Sequence, residues 1–217
     1  MKINYSRQGN QALTLTEVMV VIAVLIFFAW MLLPKLAGNK KSPQKISCVN
    51  NLKQLGLATK IWAGDNHDQY PTAVSVTNGG AMELMNTSEA WKVFQVISNE
   101  LGTPKVLFCP EDSLRESATN FGNDLKNKIS YFINPGATDE VPQSLISGDD
   151  NFEINGTPLP AGWRELSTNA AVSWTTARHN QTGNILMSDG SVQSTTISGL
   201  RACLQNTRLA TNRLFIP

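Results

Sequence analysis

The chain has 217 residues, of which 41% are hydrophobic and 16% charged, with a formal net charge of +1. That length suits one domain of ordinary size, or one domain with an added element. The composition excludes three broad classes. A disordered chain needs low hydrophobicity with high net charge, an electrostatic nucleic-acid binder needs a basic excess, and a disulfide scaffold needs more than three Cys.

Leu13 to Pro34 reads LTLTEVMVVIAVLIFFAWMLLP, 22 residues with Glu17 as the only charge. A helix needs about 20 apolar residues to span a bilayer, so the run predicts a membrane-spanning helix. It is longer than a signal-peptide core of ~7–15 residues, and no small-x-small cleavage site follows it. Glu17 does not fit a plain anchor. A carboxylate at the centre of an inserted helix costs about 2.5–3.5 kcal/mol, so an ionisable residue there calls for a named partner. The free α-amine of Leu13 on a neighbouring chain is such a partner, if the chain is cut after Ala12.

Beyond Pro34 the helical pattern continues. Ile46, Val49, Leu52, Leu55, Ile61 and Trp62 recur at spacings near three and four, the mark of an amphipathic helix. Gly64-Asp65-Asn66 is a stop signal. One helix from Leu13 to Ala63 would be ~75 Å long at 1.5 Å per residue. Trp30, near the end of the apolar run, suits an interfacial belt, whereas Trp91 and Trp174 read as core.

Asn86-Thr87-Ser88 is expected to cap a short second helix ending at Gly102. Short strands are expected at Val106–Cys109, Ile129–Ile133, Ala170–Trp174, Ile185–Ser188 and Ser191–Thr196, the last two joined by a two-residue Asp189-Gly190 turn. The stretch from Pro135 to Gly162 reads as a long loop.

Cys48 on the helix and Cys109 at a strand end are candidates for a bridge pinning sheet to helix, the alternative being three buried thiols. Cys203 is left over in any single-bridge arrangement. With two His, no C-x-x-C and no Cys/His clustering along the chain, no zinc site is expected. Asp149, Asn151 and Glu153 offer alternating oxygens to Ca²⁺, though Ile154 occupies the place of an EF-hand glycine and the bland reading is a solvated loop. His179 and Asp189 flank a hairpin with Ser188 and Ser191 nearby, but no G-x-S-x-G elbow accompanies them. The turn chemistry of Asp189-Gly190, with His179 bonded to the turn, accounts for them structurally. No catalytic residue is expected.

Gln11-Ala12-Leu13-Thr14-Leu15-Thr16-Glu17-Val18 resembles the type IV prepilin motif, G-F-T-L-x-E. Ala12 replaces the usual Gly before the cut, and Leu13 the usual Phe. In that family the Glu lies fifth after the cut, as Glu17 does, and a helix-bending Pro often lies twenty-second, where Pro34 falls. His179 with Asp189-Gly190, the Cys48-Val49-Asn50-Asn51-Leu52-Lys53-Gln54 stretch and Phe108-Cys109-Pro110 resemble the H-x9-DG subgroup of prepilin-like proteins.

The resemblance implies an α+β fold: a long N-terminal helix packed on a small antiparallel sheet. It divides the chain into a leader at 1–12, a membrane or filament-core helix at 13–34, its amphipathic continuation at 35–65 and a head at 66–217. It implies a non-enzymatic pseudopilin, cut after Ala12 by a prepilin peptidase, methylated on Leu13, and paired through Glu17 in a filament of a type II secretion system or type IV pilus. Its partners would be other pilin-like subunits and inner-membrane lipid, with no nucleic acid, and its head would lie in the periplasm. Counting Lys and Arg alone, the cluster Lys35, Lys40, Lys41 and Lys45 outweighs Lys2 and Arg7 and would keep the head in the cytoplasm; the motif, being more specific, is followed. Major pseudopilins often hold Ca²⁺ in the C-terminal loop region, which brings Asp149, Asn151 and Glu153 into view. The alternative is a membrane-tethered binding or hydrolytic domain that never polymerises; a low-copy tip subunit is a third reading.

Overall fold

The computed structural model describes residues 14–36 and 41–217, with side chains described for 14–30 and 43–217. The chain divides into two compact units, 1–40 and 41–217. In the first, helix α1 spans Leu15–Leu36. Its start is built by a reciprocal pair: Thr14 N–H donates to Glu17 Oε2 (2.8 Å), and Glu17 N–H to Thr14 Oγ1 (3.4 Å). This is a capping box, which satisfies two amides that the first helical turn leaves without partners. Every described α1 side chain is exposed, including Met19, Ile26, Phe27 and Trp30. Among the described residues no helix is long and apolar enough to cross a membrane; the part of α1 with described side chains, 15–30, has 16 residues against the ~20 of a span.

In the second unit, helix α2 spans Lys41–Gly64. Residues 37–40, which would join it to α1, lie outside the described residues. Its buried face presents Cys48, Leu52, Leu55, Ala58 and Trp62; Ile46 and Ile61, expected on that face, are instead exposed, together with Leu57. The expected second helix is broken into single turns, including α3 (Val93–Val96) and α4 (Ser98–Leu101), the latter ended by Gly102 at φ 69°. Of the strand expected at Val106–Cys109, Val106 and Leu107 instead close a 3-10 turn that starts at Pro104, whose fixed φ suits a first helical position.

The strands are β1 (Tyr131–Ile133), β2 (Leu145–Asp149), β3 (Phe152–Ile154), β4 (Thr157–Pro158), β5 (Gly162–Ser167), β6 (Val172–Trp174), β7 (Gly183–Met187), β8 (Val192–Thr195) and β9 (Thr211–Ile216). An antiparallel sheet of six has the order β5-β9-β1-β2-β7-β8, and β4-β3-β6 form a smaller one. The α+β class is the one expected. The large sheet, however, is covered on both faces. Tyr131, Ile133, Ile146, Leu186 and Phe215 join the core that includes α2. Their strand neighbours Phe132, Leu145, Ile185, Leu214 and Ile216 face a second core with Trp174 and with Leu200 and Leu204 of helix α5 (Ile197–Asn206). Period-two alternation with apolar residues at both phases makes a sheet buried on both sides.

The expected loop at 135–162 contains β2, β3 and β4. Its Asn155-Gly156, at φ 51° and 77°, is the two-residue turn joining β3 to β4. The Asp189-Gly190 turn is longer than expected: Gly190 N–H donates to Met187 O and Met187 N–H to Ser191 O, and only Gly190 is left-handed, at φ 85°. That pattern is a three-residue loop with a glycine bulge.

Candidate functional site

Two regions hold the residues singled out in the sequence. The first is the exposed apolar surface of α1. Contiguous exposed apolar surface of this kind marks an interface with lipid or another chain. Glu17 Oε2 accepts both the amide and the hydroxyl of Thr14, at 2.8 and 2.9 Å, so the carboxylate is presented at the start of α1. Ala12 and Leu13 lie outside the described residues, as does the side chain of Pro34, whose backbone lies within α1.

The second region is buried in the second unit, where α2, the segment before β1, the end of β2 and the turn before β7 meet. Cys48 and Cys109 are joined by a disulfide with Cα atoms 5.3 Å apart. His179 Nε2 lies 3.3 Å from Cys109 Sγ and 3.5 Å from Asp149 Oδ2, and its Nδ1 lies 3.0 Å from Glu111 Oε2. Thus His179 packs on the bridge, not on the Asp189-Gly190 turn; the Asp189 carboxylate accepts the Ser191 amide. The sequence offered no Cys/His cluster, yet the fold gathers Cys48, Cys109 and His179, with ligand-type atoms all within 4.8 Å of one another.

His179, Asn180 and Gln181 carry this turn through three successive left-handed residues, at φ 51°, 50° and 61°. Each costs roughly 1–2 kcal/mol for a residue with a Cβ. Specific bonds hold the turn: His179 N–H to Glu111 Oε2 (2.7 Å), Thr182 Oγ1 to His179 O (2.7 Å), and Lys45 Nζ to Thr182 Oγ1 (2.9 Å).

Beside it lies a charge network that no sequence motif announced. Arg178 Nη2 meets Asp112 Oδ2 at 3.0 Å and Asp150 Oδ1 at 2.8 Å, and Arg115 spans the same two carboxylates at 3.0 and 2.8 Å. Ser130 Oγ also donates to Asp112. Burial pushes the Asp112 carboxyl up, but Arg178, the Ser130 bond and Arg115 together hold it below the usual range. Asp149 goes the other way. Burial raises it, and the opposing pull of His179 and Arg178 does not restore it.

The proposed calcium residues turn to different partners. Asp149 Oδ2 accepts from Asn184, Asn151 Nδ2 donates to Thr175, and Glu153 accepts from Ser173. Among the described contacts no serine hydroxyl reaches His179, so a Ser–His nucleophile is not assembled.

Two type II secretion proteins match part of the chain. Core protein G of the type II secretion system of Escherichia coli K12 is 36% identical over 76 residues, 35% of this chain and 49% of that protein. The protein of the same name from Klebsiella michiganensis is 35% identical over 66 residues, 30% of this chain and 46% of its own. The chain thus spans about half the length of the curated relatives it matches. No family model matches, and no solved structure does.

Proposed function

We propose that the chain is a pseudopilin-like subunit of a type II secretion system, cut after Ala12, methylated on Leu13, and assembled with other pilin-like subunits through its N-terminal helix. The observation that carries this reading is the similarity to type II secretion core protein G. The prepilin pattern at 11–18 and the exposed apolar surface of α1 support it.

The mechanism follows from the chemistry of the segment. Before assembly, the apolar run 13–34 rests in the inner membrane with the head in the periplasm. On leaving the bilayer, the run exchanges lipid for the same run of neighbouring subunits. In that low-dielectric core the Glu17 carboxylate meets the Leu13 amine of a neighbour, since an unpaired charge there costs several kcal/mol. Pairing at one depth fixes axial register, and repeated head-to-tail contacts with a non-closing rotation give an open helix. The head domain supplies the outer surface and performs no chemistry.

Filament shearing tests this. Overproduced with an intact type II secretion machinery, the chain is expected in the sheared, sedimentable fraction. Retention of the whole population in the membrane contradicts it.

A further inference from the structure

We propose that, when the Cys48–Cys109 bridge is reduced, the two thiolates and His179 Nε2 hold one divalent ion of the zinc class, with water completing its shell. The disulfide and the ion are alternative cross-links at one place, each tying α2 to the segment before β1.

The protein donors are two sulfurs and an imidazole, three of the four positions of a tetrahedral site, and these atoms all lie within 4.8 Å of one another. Around an ion with Zn–S near 2.3 Å and Zn–N near 2.0–2.1 Å, ligand atoms stand roughly 3.3–3.8 Å apart. His179 Nε2 is 3.3 Å from Cys109 Sγ, and Asp149 Oδ2, held by Asn184, stands behind the ring at 3.5 Å. Cys48, Cys109 and His179 are all buried.

The surroundings also match a metal site. A ligating His commonly donates its second ring N–H to a carboxylate, which fixes tautomer and ring orientation. Glu111 Oε2 accepts the His179 amide and stands 3.0 Å from Nδ1 but out of hydrogen-bond alignment, so a small rotation of the ring would let Nδ1 donate to it. The strained left-handed turn holds the imidazole in that place. A pocket of about 280 Å³, bordered by Pro110, Glu111, His179 and Asn180, lies beside the cluster.

The chemistry balances as follows. A dithiol or phosphine reductant supplies two electrons. The S–S bond breaks to give two thiols; a dithiol provides their two protons and leaves as its disulfide, whereas with a phosphine a water molecule provides both protons and its oxygen leaves in the phosphine oxide. The ion then displaces both thiol protons to solvent and binds two thiolates.

The test uses the full chain in detergent with Co²⁺ as the probe. After phosphine reduction the protein is expected to bind one Co²⁺ per chain, with thiolate-to-cobalt charge-transfer absorption and the visible bands of tetrahedral cobalt, and Zn²⁺ should displace it. The oxidised protein should show neither band. Glu111→Gln should weaken binding about 10–100-fold, and Cys203→Ser should leave it unchanged. Absence of the charge-transfer band in the reduced wild-type protein overturns the proposal, whether or not any variant folds. So does its persistence when Cys48 and Cys109 are both replaced by Ser.

Discussion

The amide of Thr14 donates to the carboxylate of Glu17 at 2.8 Å, and this one contact gives Glu17 two separable roles. It caps α1, and in the proposed filament it neutralises a neighbour's amine. Gln serves a capping box as well as Glu does, but carries no charge. Glu17→Gln is therefore expected to retain the helix start and membrane insertion and to lose filament assembly. Thr14→Ala should weaken the cap by about 1 kcal/mol and assemble. Normal yield of sheared filaments from Glu17→Gln would reduce Glu17 to a capping residue.

Replacing Cys48 and Cys109 together by Ser opens a loop whose ends are 61 residues apart. Loop-closure entropy puts the loss at about 4 kcal/mol. The urea midpoint of the oxidised protein and of the double variant measures it. A difference under about 1 kcal/mol would show that the bridge adds little to a head already held by its two cores.

Gly148 sits mid-strand in β2, where an added Cβ would stand 2.6 Å from the Asn184 carbonyl oxygen and 2.7 Å from Phe132 Cε1. The first neighbour is backbone and cannot swing away. Gly148→Ala should destabilise the head by about 1–3 kcal/mol, read from its urea midpoint. An unchanged midpoint would mean that β2 and β7 are less closely apposed than described.

Much of this was legible in the sequence, for identifiable reasons. The stop at Gly64, the buried Trp91 and Trp174 and the β7–β8 hairpin follow from local pattern and turn chemistry. The β3–β4 hairpin was equally legible from Asn155-Gly156, but Gly and Pro density hid it in an apparent loop. What the sequence withholds is convergence. Asp112, Arg115, Asp150 and Arg178 carry no motif, and they meet because the segment before β1, the end of β2 and the turn before β7 are neighbours. The Cys48–Cys109 bridge was offered by the sequence and is formed, but nothing along the chain announced that His179 packs on it. Both-face burial of the large sheet was missed because runs such as Tyr131-Phe132-Ile133 show no alternation to read.

The Asp112 network predicts a definite acid response. The Asp112 carboxyl is held below its ordinary value in the fold, so its contribution to stability is complete above the unfolded value, ~3.9. It is lost as pH falls through the folded value. Asp112→Asn should lower stability at neutral pH by about 3–5 kcal/mol, because it leaves buried Arg178 short of a counter-charge. It should also flatten the acid limb of the stability profile. A variant whose profile runs parallel to wild type down to strong acid would contradict the assignment of that limb to Asp112.

Processing as a prepilin leaves a signature in the N-terminal sequence and intact mass of protein extracted from its native membranes. A cut after Ala12 gives a chain beginning at Leu13, lighter by the twelve leader residues and heavier by one methyl group on the new amine. A chain beginning at Met1 with an unmodified mass would contradict it and leave a tethered domain in its place.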